Sequence, residues 1–219
     1  MSYGPEQFTY LLEVLLLCLV ILMHLSKKSL SVISIYAGQS AAIVGLLFLS
    51  AVRDGSLPLV LVACVMLAVK VFFAPYFLGR LVRRHGLKFT SSTYLNPPLT
   101  LIVLALLMAM PFSSFMKPLA ALAPAGADLV QLAVAMIMIS VFLIINRKGA
   151  LSQIIGILSL ENSIVLFAAV AGLEQSLGLE LGIIFDILVW IIIATVFVSM
   201  VYRQFGTLDV TEMSTLKED

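Results

Sequence analysis

Seven continuous apolar stretches, separated by short polar or charged segments, organise this chain of 219 residues. Each stretch is close to the ~20 residues that a helix needs to cross a ~30 Å hydrocarbon layer. The runs are continuous rather than alternating, which argues against the strands of a membrane barrel. Only helices and closed barrels satisfy their backbone polar groups in lipid. The pattern therefore predicts seven membrane helices, over residues 8–26, 31–51, 57–79, 98–116, 128–146, 150–172 and 180–202.

The amino-acid composition also indicates a membrane protein, and it argues against some functional classes. The chain is 62% hydrophobic and 11% charged, whereas a soluble domain carries about 25% charged residues. The predicted fold class is therefore all-α, a polytopic bundle of transmembrane helices. A net charge of +1 argues against nucleic acid as a partner. The opening segment MSYGPEQ carries no positive charge, so we expect the first helix to be retained rather than cleaved as a signal peptide.

The positions of lysine and arginine predict the orientation of the chain. Of the 13 cations, ten fall after the first, third, fifth and seventh predicted helices. The opposite side has only Arg53 and Lys117, and Lys70 lies inside a helix. Cytoplasmic loops are enriched in Lys and Arg. We therefore expect an N-terminus outside, a cytoplasmic C-terminus, and a multi-pass location in the cytoplasmic membrane.

The sixth predicted helix places a carboxylate beside an amide, Glu161 and Asn162, near its middle. At ~1.5 Å per residue, Glu161 lies ~17 Å from Ala150, near the centre of the hydrocarbon layer. A charge at this depth costs at least ~2.5 kcal/mol, so the side chain must be neutral, paired, or turned to a wet protein interior. We interpret Glu161 as a site of proton handling, with a structural hydrogen bond between helices as the alternative.

Small residues form a stripe along the same helix, because Ser152, Gly156, Ser159 and Ser163 recur at helical spacing. Glu161 lies roughly 140–160° around the helix from this stripe. Small residues let helices approach closely, so if the stripe packs on one neighbour, Glu161 faces another. We therefore expect protein on two sides of this helix, and the second cover could come from another subunit.

Three further polar side chains lie within predicted helices, namely Gln39, Lys70 and Asp186. Lys70 stands too deep for an easy choice of snorkelling direction, although its stem could reach toward the cytoplasm. Two interpretations of Lys70 stay open: a switchable charge in a relay, or a snorkelling or purely structural ion pair. Pro75, five residues later, is expected to kink the helix or end it early.

Cysteine and histidine are too sparse for a metal or haem centre. Cys18 and Cys64 each lie inside an apolar run, where we expect them to behave as small buried hydrophobes. His24 and His85 stand alone at the ends of segments, and no CxxC spacing is present to hold zinc or an iron–sulfur cluster. We expect no cofactor in this chain, so that any redox chemistry happens in a partner.

A weak internal repeat relates the second and sixth predicted helices. Aligning ISIYAGQS with IGILSLEN places Gln39 opposite Glu161 and Ser40 opposite Asn162. If the match is not a chance product of apolar sequence, helices one to three and five to seven are related units of the same orientation.

Four segments are informative in combination: the run NRKGALSQIIGILSLENSIVLFAAVAG, the segment KVFFAP from Lys70, the segment IYAGQS from Ile35, and the ending GTLDV from Gly206. Together they resemble hydrogenase-4 component E, a membrane subunit of formate hydrogenlyase-like, group 4 energy-converting complexes. The resemblance covers nearly the whole chain. Helices five to seven are also similar to the three-helix K subunit of bacterial complex I and to the C subunit of multi-subunit Mrp sodium/proton antiporters.

This resemblance implies a division of the chain into four parts. They are an N-terminal three-helix unit with its basic cytoplasmic loop (1–97), a connecting helix and outer loop (98–127), a K-subunit-like three-helix unit (128–204) and a cytoplasmic tail (205–219). Glu161 matches the glutamate that the middle helix of the K subunit contributes to a central polar axis. The second glutamate of that axis lies deeper in the last helix than Asp186 does here, so Asp186 or Lys70 would have to substitute for it.

The function implied is that of a non-catalytic membrane-arm subunit, with no catalytic centre in this chain, that couples electron transfer to proton or sodium translocation. Its relay would use Glu161, Lys70, Asp186, Gln39 and Asn162. Nickel–iron and iron–sulfur centres are expected in a peripheral redox arm. Antiporter-like and other small membrane subunits would lie beside the chain in the lipid bilayer. A subunit of an Mrp-type antiporter without redox chemistry is the alternative, followed by a stand-alone transporter and a structural spacer.

Overall fold

A computed structural model of the chain describes residues 5–84, 93–121 and 126–171, together with 192, 195–196, 198–203 and 206. Within these residues the chain is almost entirely helical and contains no β-strand. Among them, five helices are long and apolar enough to cross a membrane, namely Gln7–Leu25, Ser29–Asp54, Leu57–Arg83, Ala127–Asn146 and Leu151–Val170. The prediction of an all-α protein with several membrane-spanning helices is confirmed for this part of the chain.

The helical elements follow the predicted order. They are α1 (Pro5–Leu25), α2 (Ser29–Asp54), α3 (Leu57–Met66), a π-helix (Leu67–Phe73), α4 (Ala74–Arg84), α5 (Pro97–Ala109), two 3-10 turns (Met110–Phe112 and Ser114–Met116), α6 (Lys117–Ala120), α7 (Ala127–Asn146) and α8 (Ala150–Val170). The segment from α3 through the π-helix to α4 is one continuous span, and α8 is the sixth helix of the sequence-based prediction.

Turn chemistry accounts for several of the helix ends. Gly55 closes α2 with a φ of 63°, a left-handed conformation that glycine adopts without steric cost. Ser56 caps α3, because its hydroxyl accepts a hydrogen bond from the Leu59 amide. Asn96 caps α5 in the same way, with its side-chain oxygen accepting from the Leu99 amide. These caps allow turns of only a few residues between long apolar helices.

The predicted fourth helix, 98–116, is shorter than expected. α5 ends at Ala109, and a 3-10 turn that contains Pro111 follows it. Proline has no N–H to donate, and its ring clashes with the carbonyl four residues earlier, which here belongs to Leu107. The chain then extends at Ser113, with a ψ of 159°. The helix predicted over 98–116 is therefore present but shorter, since the apolar helical segment is Pro97–Phe112.

α2 lies at the centre of the described part of the bundle. It packs against α1, α3, the π-helix, α4 and α8, while α7 packs against α8, α1 and α5. Two glycines allow α1 to approach α2 closely, since a Cβ added at Gly38 would lie 3.5 Å from Leu19 and one at Gly45 would lie 3.4 Å from Leu12. α2 is therefore an internal packing helix in the described part of the bundle.

The outer surface of the bundle is apolar. Cys18 and Cys64 are exposed on it, so the expectation that both are buried was wrong. Each lies within an apolar run, but on a helix face that points away from the other helices. Apolar sequence alone does not separate a face that meets protein from one that meets lipid, because both environments favour the same residues.

Most of the predicted seventh helix, 180–202, lies outside the described residues, and so do Asp186 and His85. The described positions between 192 and 203 are helical. We expected Pro75 either to kink its helix or to end it early. It does not end the helix, because the π-helix before it accommodates the proline and α4 continues to Arg84.

Candidate functional site

A buried lysine joins the N-terminal helices to α8. The Lys70 side chain on the π-helix is fully buried, with 0% of its surface exposed. Its ammonium nitrogen donates a hydrogen bond of 2.9 Å to Oδ1 of Asn162. The same nitrogen lies 3.4 Å from Oε1 of Glu161, forming an ion pair. Lys70 therefore does not snorkel toward the membrane surface, and that interpretation was wrong.

Asn162 is held from both sides. Its Oδ1 accepts from Lys70, and its Nδ2 donates to the Ser40 hydroxyl over 2.8 Å. An amide has one acceptor oxygen and one donor nitrogen, so these two partners fix its orientation. All three residues are fully buried. Asn162 thereby connects the π-helix, α8 and α2 through one side chain.

Glu161 lies on the opposite side of α8 from the small-residue stripe. That stripe packs on α7: a Cβ added at Gly156 would lie 2.8 Å from Cγ1 of Ile144, and the hydroxyl oxygens of Ser159 and Ser140 are 2.9 Å apart. The expectation of protein on two sides of this helix is confirmed. On the second side, α8 packs against α2 of the same chain and contacts Lys70 of the π-helix.

The π-helix places Lys70 where it can reach α8. Its last turn is closed by a hydrogen bond from the Ala74 amide to the Val69 carbonyl, five residues back. Pro75 then supplies no N–H, so the wider turn lies directly before a residue that could not continue an ordinary hydrogen-bond ladder. Single π-turns inside α-helices occur frequently at functional sites. The proline was visible in the sequence, but the wider turn was not.

The Lys70–Glu161 pair carries no net charge, which makes it tolerable in a hydrocarbon layer. An isolated charge at this depth is expensive, whereas a pair with further hydrogen bonds offsets part of the loss of hydration. The two partners differ in exposure, since 24% of the Glu161 side chain is exposed and none of Lys70 is. Among the described residues, Glu161 is therefore the member of the pair that is left partly uncovered.

Gln39 lies near this cluster without joining it directly. Its side chain is fully buried, and neither Nε2 nor Oε1 has a hydrogen-bond partner among the described residues. Tyr36, one turn earlier on α2, is also fully buried. Tyr36 was not among the residues predicted from the sequence, although its spacing of three and four residues from Gln39 and Ser40 places it on the same helix face.

A second polar network lies at one end of the bundle. Its residues were also not predicted from the sequence. Arg147, between α7 and α8, is 1% exposed and donates to the carbonyl oxygens of Met23, His24 and Ser26 at the end of α1. A cation at a helix C-terminus satisfies carbonyls that have no partner within the helix and favours the helix dipole. Burial lowers the pKa of Arg147 to about 10, so the guanidinium stays protonated at neutral pH.

Asn146 extends this network to α5. Its backbone oxygen accepts from the Tyr94 amide, and its side chain bonds to the Leu95 amide and the Thr100 hydroxyl. Together with Arg147 it ties the start of α5 and the end of α1 to the turn before α8. We assign this network a structural role, because its hydrogen bonds run mainly to backbone groups at the ends of α1 and α5.

Within the described residues, no three His, Cys, Asp or Glu side chains come close enough to hold a metal ion. The expectation that this chain carries no cofactor stays a prediction. Of the five predicted relay residues, Lys70, Glu161 and Asn162 are in contact, Gln39 lies near them without a hydrogen bond to them, and Asp186 is outside the described part of the chain.

The chain is similar to a protein of Mycobacterium tuberculosis (strain ATCC 25618 / H37Rv) named Uncharacterized protein Rv0085. The two are 28% identical over 190 residues, which is 86% of each chain. No protein-family model matches the sequence, and no solved structure matches it. Function therefore has to be inferred from the chemistry of the site.

Proposed function

We propose that this protein is a non-catalytic membrane-arm subunit of a group 4 hydrogenase or formate hydrogenlyase-like redox complex. In this role it contributes Glu161 and Lys70 to a polar axis that couples electron transfer to proton or sodium translocation. The observation that carries the proposal is the contact of fully buried Lys70 with Glu161 and Asn162. Ionisable groups inside a membrane protein are costly, and they mark ion pathways and proton relays.

The geometry suggests how the pair would handle a proton. A proton that arrives at Glu161, the partly exposed member, neutralises the carboxylate and leaves the pair with one positive charge. Lys70 then keeps its hydrogen bond to the Asn162 oxygen, so its ammonium group stays in place. The excess charge is relieved when the proton moves to a neighbouring acceptor. Asn162 thus holds the lysine while Glu161 changes its protonation state.

The membrane topology belongs to the same proposal. Seven spanning helices, with the N-terminus outside and the C-terminus in the cytoplasm, would place Arg147 and Lys148 on the cytoplasmic side. α2 and α8 would then run in the same direction, from the cytoplasm outward, with Glu161 near the middle of the bilayer. The location proposed is the cytoplasmic membrane, and Asp186 on the seventh helix is retained as a proposed relay residue.

Partners follow from the chemistry that this chain would need around it. The redox steps require nickel–iron and iron–sulfur centres, which we assign to subunits of a peripheral arm. Antiporter-like subunits and other small membrane subunits would contact this chain laterally in the bilayer. The exposed part of Glu161 is one place where such a subunit could continue the polar axis.

Identification of co-purifying subunits tests the proposal. The tagged chain, extracted from its native membrane in a mild detergent, is expected to bring with it proteins that contain nickel–iron and iron–sulfur centres. Their metal content and absorbance give a readout independent of sequence. Recovery of antiporter subunits alone, without redox proteins, would support the Mrp-type antiporter instead. Recovery of the chain by itself would contradict both assignments.

A further inference from the structure

Gln39 presents two unsatisfied polar atoms in the middle of α2. The side chain is 0% exposed, and both its amide nitrogen and its amide oxygen lack a hydrogen-bond partner among the described residues. Buried polar atoms are nearly always paired with protein or with ordered water. Within a hydrocarbon layer there is no bulk water to take over that role. The Gln39 amide therefore offers a free donor and a free acceptor to any small polar molecule that can both accept and donate a hydrogen bond.

The immediate surroundings supply further polar groups for such a molecule. The hydroxyl of Tyr36, three residues before Gln39, is buried and makes no hydrogen bond of good geometry with the described residues, but it lies close enough to the Ser40 hydroxyl for the two groups to interact. The Ser40 oxygen accepts from Asn162, which leaves its own O–H to donate elsewhere. Residues spaced three and four apart on a helix are neighbours. One face of α2 thus offers an amide and two hydroxyls side by side.

We infer that Tyr36, Gln39 and Ser40 form a binding site for internal water inside the bundle, adjacent to the Lys70–Asn162–Glu161 cluster. A water molecule accepts from Gln39 Nε2 and donates to Gln39 Oε1 or to a hydroxyl. Buried waters typically make two to four such bonds. A bare cation fits less well, because the Lys70 ammonium already supplies a positive charge beside Asn162.

This site would give the cluster a hydrogen-bonded branch into α2. The order along the branch is water, Ser40, Asn162 and Lys70, in which the last two links are direct hydrogen bonds of 2.8 and 2.9 Å. If this branch contributes to ion movement, that role depends on the proposed function. The hydration of the site does not, because it follows from unsatisfied atoms alone.

Hydroxyl-radical footprinting of the purified full chain tests the site. Short X-ray pulses create radicals from bound water and modify side chains beside it, even where bulk solvent is excluded. We expect Tyr36 to be modified although it is 0% exposed. Met136 on α7 is also buried, at 1%, and is a more reactive side chain, so its protection serves as the internal control. An unmodified Tyr36 in the folded chain would overturn the inference.

The variant Gln39→Leu provides a second, independent test. Gln39→Leu keeps a similar volume and removes both polar atoms, so we expect Tyr36 modification to fall at least threefold and the melting temperature to fall. If the site is dry, removal of two unsatisfied atoms instead raises the melting temperature and leaves Tyr36 modification unchanged, which would sink the proposal. If the variant does not fold, the wild-type measurement still decides. A positive footprint combined with normal ion pumping by Glu161→Gln would overturn the proposed function and leave the water site standing.

Discussion

The ammonium group of Lys70 is held 2.9 Å from the side-chain oxygen of Asn162, a residue 92 positions later in the chain. This contact joins the third span to α8 inside the bundle, where both side chains are fully buried. Because Asn162 also donates to Ser40, the lysine is anchored by a neutral group that does not titrate. Under the proposed function, Glu161, at 3.4 Å, is the member of the cluster that changes its protonation state while this anchor is kept.

Removal of Lys70 should destabilise the protein. Lys70→Met leaves the Glu161 carboxylate and the Asn162 oxygen without their shared partner, and breaking a buried pair in this way costs about 3 kcal/mol. Glu161→Gln in the same chain should recover part of that loss, with a coupling energy of about 1–3 kcal/mol. Unfolding of the purified single and double variants in mixed micelles measures both quantities.

The exposed pair Arg53–Asp54 is the control for that cycle. Its side chains are 84% and 54% exposed, so neutralising both should leave stability unchanged within error. Strictly additive effects of Lys70→Met and Glu161→Gln would mean that the two side chains do not stabilise one another.

Packing of α8 on α7 predicts the effect of a single methyl group. Gly156→Ala introduces a Cβ 2.8 Å from Cγ1 of Ile144 and 3.2 Å from its backbone nitrogen, and the backbone cannot rotate away. Overpacking of this kind costs about 1–3 kcal/mol. Gly79→Ala on α4 is the matched control, because a Cβ there meets nothing within 4 Å and alanine favours a helix by up to ~1 kcal/mol. Equal stabilities of the two variants in thermal unfolding would contradict the close approach of α8 to α7.

Arg147 should matter more than its neighbour Lys148. Hydrogen bonds to a charged group contribute about 1.5–3 kcal/mol, and Arg147 donates to three carbonyls at the end of α1. Arg147→Met should therefore lower the stability by about 2–3 kcal/mol. Arg147→Lys should restore only part of the loss, because an ammonium group lacks the planar fork of donors.

Lys148→Met removes the same charge from the same turn and serves as the control. It deletes a contact of 4.9 Å between the ammonium and the Tyr94 ring, for which a loss of about 0.5–1 kcal/mol is expected. If the two methionine variants lose equal stability in the same unfolding assay, the carbonyl contacts of Arg147 are not its main contribution.

The proposed orientation of the chain in the membrane can be tested with single cysteines, introduced into a chain that carries Cys18→Ala and Cys64→Ala. Asp54 and Lys28 lie at opposite ends of α2, and both are exposed. A membrane-impermeant maleimide added to intact cells should modify Asp54→Cys and should modify Lys28→Cys only after the cells are opened. The reverse pattern would place the N-terminus in the cytoplasm.

The spans themselves were predictable because a hydrocarbon layer imposes length and polarity on every crossing helix. The bounds of α1, α2, α7 and α8 lie within a few residues of those predicted. Pro111 is visible in the sequence, but the apolar run around it continues without interruption, so the pattern alone predicts a longer helix than the one that forms. The exposed positions of Cys18 and Cys64 could not be predicted, since an apolar sequence suits contact with protein and with lipid alike.

The sequence was enough to predict which residues belong to the site, but not which of them are in contact. Polar side chains inside apolar runs pointed to Glu161, Asn162, Lys70 and Gln39, because such residues are expensive there. Contact between them depends on how α2 and α8 meet and on the π-helix before Pro75, and both are tertiary properties. Tyr36 gave a weaker signal, since tyrosine is tolerated in apolar helices.

The central claim is that Glu161 is the titrating member of a coupling site. The most direct measurement is ion pumping per electron transferred by the assembled complex, reconstituted in sealed vesicles with wild-type or Glu161→Gln chain. We expect Glu161→Gln to abolish pumping while electron transfer to an artificial acceptor stays close to the wild-type rate. Asp54→Asn, which removes an exposed carboxylate at the end of α2, should leave both unchanged. Normal pumping by Glu161→Gln in a fully assembled complex would show that Glu161 is not the titrating group.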